Sequence, residues 1–214
     1  MCATRIPTKV KPGRRKRLDP RKPPTQSRAA ETVNAVIEAA ARILERNGFE
    51  GYTTNAIAER AGVSIGSLYQ YFPGKEAVTV ALIERECALL LADVAEADSI
   101  VDYRDAVNHL IHSAVAHQMR RPRLARLLDL EESRLPIRPR IRPASDAIHG
   151  TVLRILCRSD APYRGNKKEA VLDVFAIARG MVDAAGEREE TNAHQLEKRV
   201  RRAIYGYLGM HPVR

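Results

Sequence analysis

The sequence predicts an all-α protein of roughly nine helices. Three observations lead there. Apolar residues recur at helical spacing along most of the chain, no run alternates apolar with polar residues as a strand does, and glycine and proline gather at a few breaks. At 214 residues the chain is long enough for one sizeable core, or for a small domain joined to a larger one.

The first helix is expected from about Arg28 to Asn47, because Val33, Val36, Ile37, Ala40 and Leu44 share a face. Asn47-Gly48 ends it, with glycine supplying a left-handed stop. Two short helices follow within Tyr52–Lys75. Thr53 or Thr54 can cap the first, whose apolar face is Ile57, Ala58 and Ala61. Gly62 makes the turn and Val63 fills the angle. Ser64 caps the second helix, which runs to about Tyr71. With Leu68 placed inward, Ser64 and Phe72 fall within about 40° of it on the helical wheel. Gly66 and Gln70 then face outward, flanked by Ser67 and Tyr69.

Pro73-Gly74 breaks the chain, and a long helix begins near Lys75 and reaches about Glu96 through Val78, Leu82, Leu89 and Leu90. Another covers about Asp102–Arg120, with Tyr103, Val107, Leu110, Ile111, Ala114 and Val115 on one face. Pro122 opens a short helix through Leu124, Leu127 and Leu128. Pro136, Pro139 and Pro143 argue against continuous helix across 135–143. Helices are then expected at about 144–158, 168–185 and 192–208.

Charge is distributed unevenly. The net charge is +10, and residues 1–28 carry ten Lys/Arg against the single Asp19, which leaves residues 29–214 at +1. The basic arm, with Arg14, Arg15, Lys16, Arg17, Arg21 and Lys22 at its centre, is also proline-rich, so disorder is expected over residues 1–27. Such an arm suits nucleic acid or an anionic surface, or serves solubility alone. No 18-residue apolar stretch and no apolar leader occurs, so a cytoplasmic protein without membrane association is expected.

Chemistry-bearing motifs are sparse. There is no G-x-S-x-G, P-loop, H-E-x-x-H or dinucleotide fingerprint, which argues against an enzyme, and no cofactor is expected. Cys2, Cys87 and Cys157 are odd in number and lack a C-x-x-C, and Cys87 and Cys157 read as buried apolar residues rather than redox sensors. His109, His112 and His117 share a helix without a cysteine or carboxylate cluster, so no metal site is expected. Arg134, Arg138, Arg140 and Arg142 read as a solvated loop, or as a surface for an acidic partner.

The stretch Tyr52–Lys75 reads as a helix-turn-helix whose second helix fits a major groove about 12 Å wide. Its exposed face is small, polar and aromatic, and residues 54–76 balance Arg60 and Lys75 against Glu59 and Glu76. A generic helical corner, with Tyr69 and Tyr71 as packing residues, is the alternative. Residues 28–75 resemble the DNA-binding domain of the TetR/AcrR family, through NGFEGYTT, IAERAGVSIGSLYQYFPGKEAV and above all the Leu-Tyr-x-Tyr-Phe-Pro-x-Lys-Glu pattern of Leu68–Glu76. The resemblance implies that Asn55, Ile65, Gly66 and Ser67 face bases, and that Thr54, Tyr69, Gln70, Tyr71 and Lys75 touch phosphates or sugars.

After the arm over 1–27, which composition alone marks out, the resemblance implies two parts: a DNA-binding domain over 28–75, and a ligand-binding and dimerisation domain over 76–214. The implied function is a homodimeric repressor, released from a palindromic double-stranded DNA operator by a small molecule whose pocket no residue singles out. The last two long helices would form the dimer. Two stripes are compatible with that, Val171, Val174, Phe175, Ala178 and Val182, then Leu196, Val200, Ala203, Ile204 and Tyr207, although both could instead complete the monomer core. An architectural or RNA-binding protein working through the arm is the alternative function.

Overall fold

The structure, a computed structural model, describes residues 27–210. The basic arm residues Arg14, Arg15, Lys16, Arg17, Arg21 and Lys22 lie outside the described residues. Nine α-helices follow one another among the described residues: α1 (Ser27–Asn47), α2 (Thr54–Ala61), α3 (Ile65–Tyr71), α4 (Lys75–Ala95), α5 (Tyr103–Arg120), α6 (Pro122–Arg134), α7 (Arg138–Leu156), α8 (Lys167–Glu187) and α9 (Ala193–Leu208). A 3-10 turn, Glu96–Ser99, extends α4, and no strand occurs among the described residues.

Two apolar clusters organise these helices. The first joins α1, α2, α3 and the first half of α4, where Val36, Leu44, Ile57, Leu68, Phe72 and Leu82 are fully buried. Leu124 and Leu128 of α6 and Ile137 and Ile141 around the start of α7 complete it. The core of the N-terminal helices is therefore closed by segments more than 40 residues further along. The second cluster joins α5, the later turns of α7, α8 and α9.

Helix is interrupted across the proline-rich segment, as expected, but only over 135–137, and the helix expected from about residue 144 starts earlier. Helix α7 starts at Arg138, with Pro139 in its first turn and Pro143 inside it. The N–H groups of a first turn have no intrahelical acceptor, so Pro139 forfeits nothing, and Pro143 removes one bond only a turn later. Burial of Ile137, Ile141 and Ile148 holds the helix across that defect. The arginines expected in a loop are consequently helical. Arg140 holds Glu84 of α4 at 2.6 Å, and Arg134 pairs with Glu131 of its own helix at 2.6 Å.

The stripes of the last two helices also turn out differently. Val171, Val174 and Val182, like Leu196, Val200 and Ile204, are buried in this chain's own second cluster. They complete the monomer core, which was the alternative reading. Leu89, expected on the buried face of α4, is 41% exposed.

Candidate functional site

The α2–turn–α3 unit is specified by local hydrogen bonds. Thr53 is extended and its hydroxyl accepts from the Ala56 N–H at 3.2 Å, so Thr53 is the cap of the two candidates. At the far end Gly62 sits at φ +69°, with Val63 N–H donating to Ala58 O and Gly62 N–H to Glu59 O. That nested pair is a Schellman stop, and its left-handed residue favours glycine. Ser64 then caps α3, its Oγ accepting from the Ser67 N–H at 3.0 Å.

Helix α3 is anchored by Leu68 and Phe72, both fully buried. Ile65, Gly66, Tyr69 and Gln70 are exposed on the outward side, and the helix contains no charged residue. A Cβ on Gly66 would meet only Ser64 Oγ, at 3.7 Å. The protein's own packing therefore does not require glycine there. Ser67 is half-buried, with its hydroxyl 2.8 Å from that of Ser64, and Asn55 is exposed in the first turn of α2.

Among the other expected contacts, Thr54 Oγ1 and Tyr69 OH lie 3.2 Å apart and tie α2 to α3. Lys75 Nζ donates to the Tyr52 carbonyl at 3.3 Å, which leaves further ammonium protons directed elsewhere. Gln70 is exposed, whereas Tyr71 is half-buried against the first cluster. Sequence reasoning gave Tyr52 and Thr79 no role. The Tyr52 phenol, which burial pushes above its ordinary value, sits 3.0 Å from Thr79 Oγ1, and Thr79 donates to the Lys75 carbonyl. That buried pair locks the loop before α2 onto the start of α4, and a threonine on an otherwise apolar helix face was its only signal.

A cavity of about 220 Å³ lies among α4, α5, α6, α7 and α8. Its walls are chiefly leucine, isoleucine and valine, with Leu110 and Ala114 of α5 half-buried because they face it. Cys87 also lines it, and burial pushes its thiol up to about 11, so the sulfur is protonated at neutral pH. Cys157, expected to be buried, is instead exposed just beyond α7. His109 meets the Asp93 carbonyl at 2.8 Å and His112 meets Glu197 at 3.1 Å, so the two engage different elements. His117 lines the cavity, and burial, reinforced by Arg120, lowers its pKa.

One side of the cavity is ionic. Arg179 of α8 reaches Glu132 at 3.5 Å and Asp183 at 3.4 Å, both long for such pairs. Asp129 has its pKa pushed up to about 6, first by burial and then by the charge of Asp183. An unfolded aspartate titrates near 4, so the folded chain binds the extra proton between about pH 4 and 6. Stability is fully present below that window and is lost as pH rises through it. Asp129→Asn is expected to flatten this slope and raise stability at pH 7 by about 1–3 kcal/mol. Urea midpoints at pH 5 and pH 7 check it, and an unchanged midpoint at pH 7 contradicts it.

Comparison with known proteins places this geometry. Residues 36–82 match the model for bacterial regulatory proteins of the tetR family, and residues 102–208 match that for the tetracyclin repressor-like C-terminal domain. The transcriptional repressor KstR of Mycolicibacterium smegmatis is 39% identical over 56 residues, 26% of this chain and 28% of KstR. The transcriptional regulator UidR of Escherichia coli K12 is 31% identical over 117 residues, 48% of this chain and 60% of UidR. The chain thus spans less than two thirds of either relative. Among solved structures, the fatty acid degradation regulator FadR of Bacillus halodurans superposes with a TM-score of 0.68 at 18% identity, over 81% of this chain and 97% of FadR. FadR of Bacillus subtilis in complex with stearoyl-CoA gives 0.68 at 19% identity, over 83% and 99%. The chain belongs to the TetR family of bacterial regulatory proteins, whose members are DNA-binding transcription factors and not enzymes.

Proposed function

We propose that the protein is a homodimeric repressor which a small molecule releases from a palindromic operator. The observation that carries this is α3: a capped helix, fixed by Leu68 and Phe72, that turns an uncharged face of Ile65, Gly66, Tyr69 and Gln70 to solvent. In this reading residues 28–75 bind DNA. Asn55, Ile65, Gly66 and Ser67 face bases, and Thr54, Tyr69, Gln70, Tyr71 and Lys75 meet the backbone. Residues 76–214 bind the ligand and form the dimer. KstR is named a repressor and Bacillus subtilis FadR holds stearoyl-CoA, which supports repression and small-molecule control.

A single short helix reads too few bases to select one site, so a two-fold dimer is the physical expectation. Since the inner stripes of α8 and α9 close the monomer core, the dimer would use their outer faces. These include Leu172, 57% exposed, with Ala176 and Gly180 on α8, and Arg202 and Gly206 on α9. The cavity is coupled to the DNA-binding helices through Arg121, which lines it and also holds Glu45 of α1 at 2.8 Å and Glu38 at 3.3 Å. A ligand that shifts Arg121 would shift α1, and its differential affinity for the two arrangements would set the response. Sedimentation equilibrium and a mobility shift with DNA from upstream of the protein's own gene test the reading. It requires twice the chain mass and a saturable complex with that DNA, and it fails with a monomer or with equal binding to any DNA.

The arm supplies the charge that α3 lacks. Deleting residues 1–24 removes nine Lys/Arg. It is expected to weaken binding to all DNA and to flatten the salt dependence by about 0.9 in slope for each phosphate that the arm no longer neutralises. Preference for the operator should survive. Equal slopes for the full-length and truncated proteins would contradict this role, and complete loss of specificity would favour an architectural or RNA-binding protein acting through the arm.

A further inference from the structure

We propose that the cavity takes a lipophilic cation, an apolar body bearing one ammonium or amidinium group, with Asp129 as its charge partner. This rests on the ligand-controlled reading above and names the chemistry of that ligand. The cavity exceeds the ~150 Å³ that accommodates a benzene ring, so it has room for a small apolar body.

Charge balance along its wall points to the sign of the head group. Of the charged residues lining the cavity, Glu86 is held by Arg85 at 2.9 Å and Arg120 at 3.1 Å. Arg121 is committed to Glu45 and Glu38. What remains is Asp129, Glu132 and Asp183 around the one guanidinium of Arg179, three carboxylates against one cation. Arg179 reaches Glu132 and Asp183 at long range, and Asp129 has no hydrogen bond or ion pair from its carboxylate to any described residue. A carboxylate that shares one guanidinium with two others at the wall of an apolar cavity is poorly neutralised, and a bound cation offsets that cost, whereas a carboxylate or phosphate head would add to it. A second polar group also lacks a partner. Gln118 of α5 lines the same cavity at 5% exposure, and its Nε2 meets no acceptor among the described residues. A hydrogen-bonding group on the ligand body would satisfy it.

Isothermal titration of the full-length protein with octylammonium, octanoate and 1-octanol tests the proposal. Octylammonium should bind at least ten-fold more tightly than octanoate. Asp129→Asn should lose at least ten-fold in octylammonium affinity while keeping its affinity for octanol, which reports an intact cavity. Octanoate binding as tightly as octylammonium, undiminished octylammonium binding in Asp129→Asn, or no octylammonium binding at all would each overturn it. A mobility shift on the same samples separates the two readings. If operator binding persists while the probes show no cation preference, only the ligand class falls. If the ligand-free protein has no operator, the regulator reading falls whatever the probes do.

Discussion

Truncating Phe72 to alanine is expected to destabilise the protein by about 3–5 kcal/mol, the range for a fully buried phenylalanine. Phe72 is among the largest fully buried side chains, and its backbone N–H closes α3 by donating to Leu68 O at 2.8 Å. It stands where α3 ends and Pro73-Gly74 leads into α4, so the ring fills the junction on which the orientation of α3 depends. It shares a buried cluster with Ile57, Leu68, Val78 and Leu82. Removing the ring takes apolar surface from that cluster and leaves a void that four helices cannot close without moving. Urea unfolding should show a lower midpoint at unchanged m-value, and a loss below about 1 kcal/mol would mean that the site relaxes and does not hold α3.

Gly66→Glu should do the reverse: it should abolish sequence-specific DNA binding, by at least about 100-fold, without loss of stability. The space beyond Gly66 is open, since an added Cβ meets nothing closer than Ser64 Oγ at 3.7 Å. Glutamate is a better helix former than glycine by up to about 1 kcal/mol, and a negative charge in the first turn of a helix is favourable. Stability is therefore expected to hold or rise slightly. A carboxylate projecting from the outward face would meet phosphates and base-edge acceptors, a loss of ~3 kcal/mol or more for 100-fold. The two readouts move independently, so a merely misfolded variant cannot mimic the result. Retained operator binding would show that α3 does not enter a groove.

The contrast between what was legible in the sequence and what was not follows from the range of the interactions. The α2–turn–α3 unit was legible apart from the choice between Thr53 and Thr54 as cap, because each determinant acts within six positions: the Ser64 cap bonds Ser67, and the Gly62 stop closes onto Ala58 and Glu59. Helix α7 was misplaced because the local rule about proline is overridden by burial of Ile137 and Ile141 against elements far along the chain. The valine stripe of α8 had the right period, but period alone does not say whether a stripe meets its own chain or another. Neither the cavity nor the Arg121–Glu45 tie could be read at all, since the latter spans 76 positions and the former is a void left where Leu110 and Ala114 fail to be covered.

If α3 reads DNA as one half of a two-fold pair, the pairing must show on the DNA itself. The most direct measurement is DNase I footprinting over DNA upstream of the protein's own gene, with the unaltered protein and Gly66→Glu run in parallel. One protected region with two inverted half-sites about one helical turn apart is expected, with no protection by the variant at the same concentrations. Protection spread evenly along the DNA, or the same footprint from both proteins, would contradict it.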